Sequence, residues 1–279
     1  MHKIVKSSII IWSSRGAEDI GKGERKLRGY ERRQVILDIL HNRSCIEVKE
    51  LLEMLPASPA TIRRDLTELE QSGEIRRARG RIFSVRQNEF PAFELRNTMH
   101  VEEKKRIARA AVALVNDGDS IVMDSGTTLQ AMAENLRDRQ KLSVITNSVS
   151  VGYILASSSV NVFLTGGFLD DMALVGEDAA QFIEKHPVDK AFVSASSTRG
   201  TVGLTVTSPL QLSIKRQMVA SAKEVYALLD ESKFHSMGVS LFADFKDLTG
   251  IITSKPISDP KLLERLEQEH VKVIYTDET

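Results

Sequence analysis

From Val101 onward, short apolar runs alternate with amphipathic helical stretches: Ser120 to Met123, Leu142 to Ile145, Val160 to Leu164, Ala191 to Ser194, Val225 to Leu229, Gly250 to Ile252 and Val271 to Tyr275. Nothing else in the chain narrows the fold as much. Runs this short and this apolar read as strands buried on both faces, and the helical separators supply the crossovers of a mostly parallel sheet covered by helices on each side. Sheets of that kind bind ligands in the crevice beyond the carboxyl ends of their strands. Polar and glycine residues cluster there. Asp124-Ser125-Gly126-Thr127-Thr128 follows the first run and opens a helix containing Leu129 and Met132; Thr146-Asn147-Ser148 follows the second; Gly166-Gly167 the third; Asp230-Glu231-Ser232-Lys233 a later one. A Ser-Gly-Thr-Thr turn at a helix N-terminus offers backbone N–H groups and hydroxyls at the positive end of the helix dipole, which suits a phosphate. One such turn alone is ordinary capping chemistry; their recurrence at successive strand ends favours a binding crevice.

The N-terminal third has a different pattern. Ala57 to Ile75 reads as a helix with both ends marked, by Ser58 as N-cap, Pro59 at the first helical position and Gly73 as terminator. Ile62, Leu66 and Leu69 form its buried stripe, which leaves Thr61, Arg63 and Arg64 to project near its N-terminal half, the end a recognition helix presents to DNA. The bland alternative is a surface helix whose arginines pair with Asp65 and Glu68. Upstream, Glu31 to His41 and a short segment with Val48, Leu51 and Leu52 read as two more amphipathic helices, with Met54 to Ala57 as a tight joint, the layout of a helix-turn-helix. Downstream, Ile75 to Arg86 reads as a β-hairpin or wing holding Arg76, Arg77, Arg79, Arg81 and Arg86 and no acid, a phosphate clamp beside a recognition helix.

Of 279 residues, 42% are hydrophobic and 27% charged, which fits a globular chain of about two domains. Zero net charge conceals an asymmetry: residues 1–90 carry 18 Lys+Arg against 13 Asp+Glu, a surplus of +5, and the remainder 20 against 25, or −5. The division expected is a disordered extension over 1–28, a winged helix-turn-helix over 29–86, a linker over 87–100 and an effector-sensing α/β domain over 101–279. The single cysteine, Cys45, excludes an internal disulfide and a cysteine-based zinc site, reads as a small buried residue, and points to a cytoplasmic setting. Ile9 to Trp12 is too short for a membrane span. No catalytic residue, metal site or cofactor is expected. Double-stranded operator DNA and a small anion are the expected partners, and pairing of half-sites implies a homo-oligomer.

Thr61 to Gly73 (T-I-R-R-D-L-T-E-L-E-Q-S-G), E-K-K-R-I-A at Glu103 to Ala108, D-S-G-T-T at Asp124 to Thr128, T-N at Thr146 and Asn147, G-G at Gly166 and Gly167, D-K-A-F at Asp189 to Phe192, K-R-Q-M at Lys215 to Met218 and D-E-S-K-F at Asp230 to Phe234 occur in this order. Together they resemble the DeoR family of bacterial transcriptional regulators over residues 29–275. The resemblance implies an α/β chain: a winged helix-turn-helix, then a Rossmann-like mostly parallel sheet domain similar to ribose-5-phosphate isomerase. It also implies a repressor of a carbohydrate-use operon controlled by a phosphorylated sugar. By matching positions, Asp124, Ser125, Gly126, Thr127 and Thr128 form the phosphate loop, and Thr146, Asn147, Gly166, Gly167, Lys215, Asp230 and Lys233 line the rest of the crevice.

Three departures stand out. Ser194 to Gly200 (S-A-S-S-T-R-G) replaces the family's usual glycine- and Asp/Asn-containing loop, Gln211 stands where a glutamate is common, and Arg79-Gly80-Arg81 replaces a His-Gly-Gly run in the wing. The alternative function, a sugar-phosphate isomerase with an accessory N-terminal domain, needs a carboxylate base. Gln211 cannot serve as one, although Asp124 and Asp230 remain available.

Overall fold

The computed structural model describes residues 27–43, 45–84, 93–234 and 238–276. Residues 1–26 of the extension expected over 1–28, and 87–92 of the linker expected over 87–100, therefore lie outside the described residues. The described chain divides into two units, Met1–Gln87 and Asn88–Thr279.

The first unit begins with α1 (Gly29–Arg43), two residues earlier than its apolar spacing suggests, followed by β1 (Cys45–Glu47), α2 (Val48–Met54) and α3 (Pro59–Gln71). Its wing is β2 (Ile75–Ala78) and β3 (Arg81–Ser84), joined by Arg79 and Gly80, both at positive φ (48° and 75°), as a two-residue hairpin turn requires. Strand β1 was not anticipated. It pairs antiparallel with β3 from Cys45↔Phe83 to Glu47↔Arg81, so the cysteine expected to be buried is half-buried on a sheet edge. Ile36, Leu40, Leu51, Ile62, Leu66, Leu69 and Ile82 close one core among the three helices and the wing.

The second unit starts with α4 (Phe93–Arg96) and α5 (Val101–Val112) and then lays down seven parallel strands: β4 (Ser120–Met123), β5 (Ser143–Thr146), β6 (Asn161–Leu164), β9 (Val188–Val193), β12 (Ala222–Leu229), β14 (Gly250–Thr253) and β15 (Lys272–Tyr275). Their spatial order is β15-β14-β12-β9-β4-β5-β6. The sequence therefore proceeds outward from β4 to β6, returns to β9 on the other side of β4, and proceeds outward again. The β4–β9 junction is the point where strand order reverses. Side chains alternate between two cores. Ile121, Met123 and Val144 face α5, α6 (Thr127–Glu134) and α7 (Val149–Leu155), whereas Val122, Ile145 and Ala191 face α8 (Glu177–Glu184) and α9 (Leu212–Ala220).

Two small antiparallel additions ride on this frame: the hairpin β7 (Phe168–Asp170) and β8 (Ala173–Val175), and the sheet β10 (Ser197–Arg199), β11 (Gly203–Val206) and β13 (Ser240–Asp244). The chain closes with α10 (Pro260–Gln268), capped by the Asp259 carboxylate, before β15.

The Asp-Lys pair that opens β9 does structural work at the amino ends of the strands. Asp189 accepts from the Ser120 amide (2.9 Å) and hydroxyl (2.8 Å), and Lys190 pairs with Asp119 at 2.6 Å, both side chains largely covered. Its bonds to Lys223 and Ser120 hold the Asp189 carboxyl well below the usual carboxylate range.

Candidate nucleic-acid interface and anion site

Helix α3 is terminated as the sequence implies. The Ser58 hydroxyl accepts from the Thr61 amide at 3.2 Å and lies 2.8 Å from the Thr61 hydroxyl. At the other end Gly73 has φ 77°, with Gly73 N–H donating to the Glu70 carbonyl (3.1 Å) and Glu74 N–H to that of Leu69 (3.0 Å), a Schellman closure. Arg63 and Arg64 are exposed on the outer face; Arg64 leans on Glu68 at 3.4 Å, as the bland reading expects. Asp65 is used otherwise. Buried at 3% exposure, it takes two bonds from Arg32 on α1 and lies 3.6 Å from Arg33, so it fixes α1 against α3.

The wing arginines divide. Arg76 and Arg79 are exposed and Arg81 is half-buried. Arg77 has an acidic partner from outside the wing. Glu70 on α3 accepts from the Arg77 amide (2.9 Å) and from Nε (2.8 Å) and Nη2 (2.6 Å) of its guanidinium, and these bonds hold the Glu70 carboxyl below its ordinary value. Arg77 thus ties the wing to the helix. The span read from the wing alone could not show a partner seven residues upstream.

In the second unit, buried polar side chains gather at the carboxyl ends of the strands. Asp124 is fully enclosed, and Ser125, Thr127, Thr128, Thr146 and Asn147 are all buried. The parallel register explains why they meet: Met123 stands beside both Thr146 on β5 and Phe192 on β9, so the residues that follow these strands emerge side by side. The Thr146 hydroxyl donates to the Met123 carbonyl at 2.7 Å.

Across the reversal point, Ser194 donates to Asp124 Oδ2 from both its amide and its hydroxyl, each at 2.8 Å. Lys215 of α9, 3% exposed, bonds the same oxygen, reaches the Ser194 carbonyl at 3.0 Å, and lies 5.2 Å from the Phe242 ring centroid. A Cβ on Gly126 would stand 2.7 Å from the Ser194 hydroxyl, so this close approach of loop to loop requires glycine. Ser194, expected at the end of a strand, is instead the first residue beyond it and part of the site.

Asp124 Oδ2 is thereby saturated, whereas Asp124 Oδ1 is enclosed with no hydrogen-bond partner, as is Asn147 Oδ1. Enclosed oxygens without donors are costly, and one ligand hydroxyl could satisfy each.

A second pole forms around Asp230, whose carboxylate accepts from the Ser232 amide at 3.0 Å and from its hydroxyl. Burial pushes the Asp230 carboxyl up, but Lys233, Ser232 and Lys104 outweigh it and hold the group below its ordinary value. Burial likewise pushes Lys233 down, and it pushes Lys104 down to about 8, against the pull of Asp230. Lys104 lies on α5 and donates to the carbonyls of Arg96 and Met99, the latter at 2.7 Å. It sits inside the quoted E-K-K-R-I-A run, yet nothing in that run marked it as part of the site. Gly166 and Gly167 are exposed, at φ 75° and 114°, where the chain leaves β6 for the β7–β8 hairpin.

Among the described residues, no helix is long and apolar enough to cross a membrane, and no group of three or more His, Cys, Asp or Glu could hold a metal ion.

Residues 32–88 match the DeoR-like helix-turn-helix domain and residues 99–255 the DeoR C terminal sensor domain. Similar curated proteins include the HTH-type transcriptional regulator IolR of Bacillus subtilis, 32% identical over 77% of this chain and 86% of that protein. The lactose phosphotransferase system repressor of Staphylococcus epidermidis is 32% identical over 88% of this chain and 98% of its own length. The HTH-type transcriptional repressor GlcR of Bacillus subtilis is 30% identical over 89% and 96%. These relatives are transcriptional regulators, not enzymes. Among solved structures, ribose 5-phosphate isomerase A of Methanocaldococcus jannaschii is similar at 21% identity and TM-score 0.36, over 47% of this chain and 53% of that one, a likeness too loose to bear on function.

Proposed function

Because the chain belongs to the DeoR family of helix-turn-helix transcriptional regulators, we propose that it represses a carbohydrate-use operon and that a phosphorylated sugar bound at the carboxyl ends of its parallel strands controls it. One observation carries the ligand class. The helix N-terminus at Ser125 to Thr128 offers donors, and beside it Asp124 Oδ1 and Asn147 Oδ1 are acceptors with no donor of their own. An anion that also carries hydroxyls answers both needs: its phosphate takes the N–H groups and its hydroxyls donate to the two oxygens. The cationic pole of Lys104 and Lys233 adds charge on the same rim. A relative named for repression of a lactose phosphotransferase system supports the link to sugar use.

On DNA, Thr61, Arg63 and Arg64 read base edges while Ser58, Arg76, Arg79 and Arg81 meet phosphates; two copies pair on half-sites. Arg63→Ala or Arg64→Ala cuts operator affinity by about 1–3 kcal/mol where the side chain reads a base, and by less, in a salt-dependent way, where it meets only phosphate. Arg76→Ala or Arg79→Ala lowers the salt dependence by about one phosphate contact, whereas Arg77→Ala acts mainly on stability. Retention of the natural upstream DNA at two salt concentrations separates these. Thermal-shift measurements against a panel of sugar phosphates test the ligand. Free sugars stabilising the chain as well as their phosphates do, or Thr127→Val and Lys233→Ala abolishing DNA binding rather than the response to ligand, would refute the assignment.

A further inference from the structure

We propose that the β7–β8 hairpin is a pinned cover whose adjacent acids, Asp170 and Asp171, latch it on two sides, and that arrival of an anion in the crevice loosens the Asp171 latch on Phe93–Arg96, the segment through which the chain arrives from the DNA-binding unit. The inference rests on the anion-site reading above.

The hairpin buries Ala173 and Val175, and polar bonds from its turn supply much of the rest of what holds it. Phe168 and Leu169 are 80% and 65% exposed, so these large apolar residues bury little. Its turn is made by Asp171 and Met172, both at positive φ (46° and 67°), with Met172 where such a turn favours glycine. A turn of that composition needs outside bonds to persist, and it has them. The Asp171 carboxylate accepts from the Phe93 amide at 2.9 Å and pairs with Arg96. The Asp170 carboxylate accepts from the Ser208 hydroxyl (2.8 Å) and the Gln211 side-chain amide (3.1 Å).

The same hairpin is wired to the crevice. Leu174 N–H donates to the Asn147 carbonyl at 2.7 Å, the Asn147 side-chain amide returns a bond to the Leu174 carbonyl at 3.2 Å, and Val149 N–H reaches the Met172 carbonyl at 3.1 Å. Asn147 is the residue whose Oδ1 lacks a donor.

Phe93 to Met99 is wired to the crevice from its other side. Lys104 donates to the carbonyls of Arg96 and Met99, and Gln130 of α6, the helix whose N-terminus forms the anion cradle, lies 3.5 Å from the Asn97 side chain. Arg96 is near enough to Lys104 and Lys233 for its charge to disfavour theirs. An anion bound in the crevice beside those lysines therefore pulls Lys104 from the Arg96 and Met99 carbonyls and competes with Asp171 for the Arg96 guanidinium. Both effects release the same segment. Gln211 acquires a role here: a glutamate in its place would set a second carboxylate against Asp170 and undo the opposite latch.

The test uses the full chain, with ribose 5-phosphate, glucose 6-phosphate and inorganic phosphate as probes. Amide hydrogen exchange is read over residues 93–99 and 168–175, and retention of the natural upstream DNA is measured in parallel. A probe that raises the melting temperature should speed exchange at Phe93 and its neighbours by about tenfold. Asp171→Asn should show the faster exchange without any probe and respond no further. A stabilising probe that leaves this exchange unchanged, or an Asp171→Asn chain that exchanges as the parent does, overturns the latch while leaving the anion site standing. If no probe stabilises the chain, the anion site falls and the latch is judged on DNA binding alone. Asp171→Asn and Gln211→Glu should then each shift half-saturation of the DNA by roughly fivefold or more, and no shift in either refutes it.

Discussion

Asp124 and Lys215 form an ion pair at 0% and 4% side-chain exposure, with Ser194 as their shared neighbour. Removing Lys215 alone, as Lys215→Met, leaves a carboxylate out of reach of water with only the two Ser194 donors to face it. Breaking a buried pair from one side costs about 3–5 kcal/mol. In a unit of this size that lowers the melting temperature by about 10 °C. Asp124→Asn strands the lysine instead, and a loss of the same order follows. The double variant leaves no uncompensated charge, so its loss should fall short of the sum of the single losses by about 2–3 kcal/mol. Urea denaturation followed by circular dichroism, with all four chains in one buffer, measures this coupling. Losses that add to within about 0.5 kcal/mol would mean that the two groups do not act as a pair, and the account of Asp124 as half-saturated would go with them.

Gly126→Ala should destabilise the chain by about 1–3 kcal/mol, because the new Cβ falls 2.7 Å from the Ser194 hydroxyl and 3.2 Å from its Cβ; Ser194→Ala in the same chain should recover part of the loss, and no recovery in thermal denaturation would place the clash elsewhere. Lys104, pushed by burial to about 8 from an ordinary 10.5, makes two pH-dependent measurements decisive. The unfolded lysine keeps its proton where the buried one sheds it, so stability rises as pH climbs from 8 towards 10.5 and Lys104→Met flattens that rise. A phosphorylated sugar held near Lys104 raises its proton affinity, so binding near pH 8 takes up about half a proton, whereas near pH 6 the lysine takes up almost none and the ligand phosphate, which titrates close to there, sheds part of one. Calorimetry in buffers of different ionisation enthalpy reads the exchange, and no uptake near pH 8, or the same uptake there in Lys104→Met, would remove Lys104 from the site.

The legible parts of this molecule are those in which a residue's neighbours in sequence are also its partners in space. Ser58, Pro59 and Gly73 announce the ends of α3 because caps are local, and the apolar runs announce the sheet because its inner strands bury both faces, although the edge strands β6 and β15, expected to be buried likewise, stay largely exposed or half-buried. The crevice was legible for the same reason: Asp124 to Thr128 and Asp230 to Lys233 each follow directly on a strand. Short antiparallel pieces such as β1 and β8 were not, since three residues carry no periodicity. Nor was any partner supplied from a distance. Glu70 reaching Arg77, Asp65 taking Arg32, Arg96 meeting Asp171 and Lys104 bending to the Met99 carbonyl all depend on where helices come to lie, which charge patterns along the chain do not encode.

Strands β4 and β9 are fastened at both extremities, by Asp189 with Ser120 and Lys190 with Asp119 at one, and by Asp124 with Ser194 and Lys215 at the other. Two rails bolted top and bottom neither splay nor slide. Any guest of a different size must be accommodated by what hangs beyond the rails, and discrimination among guests becomes a property of those appendages while the frame stays constant.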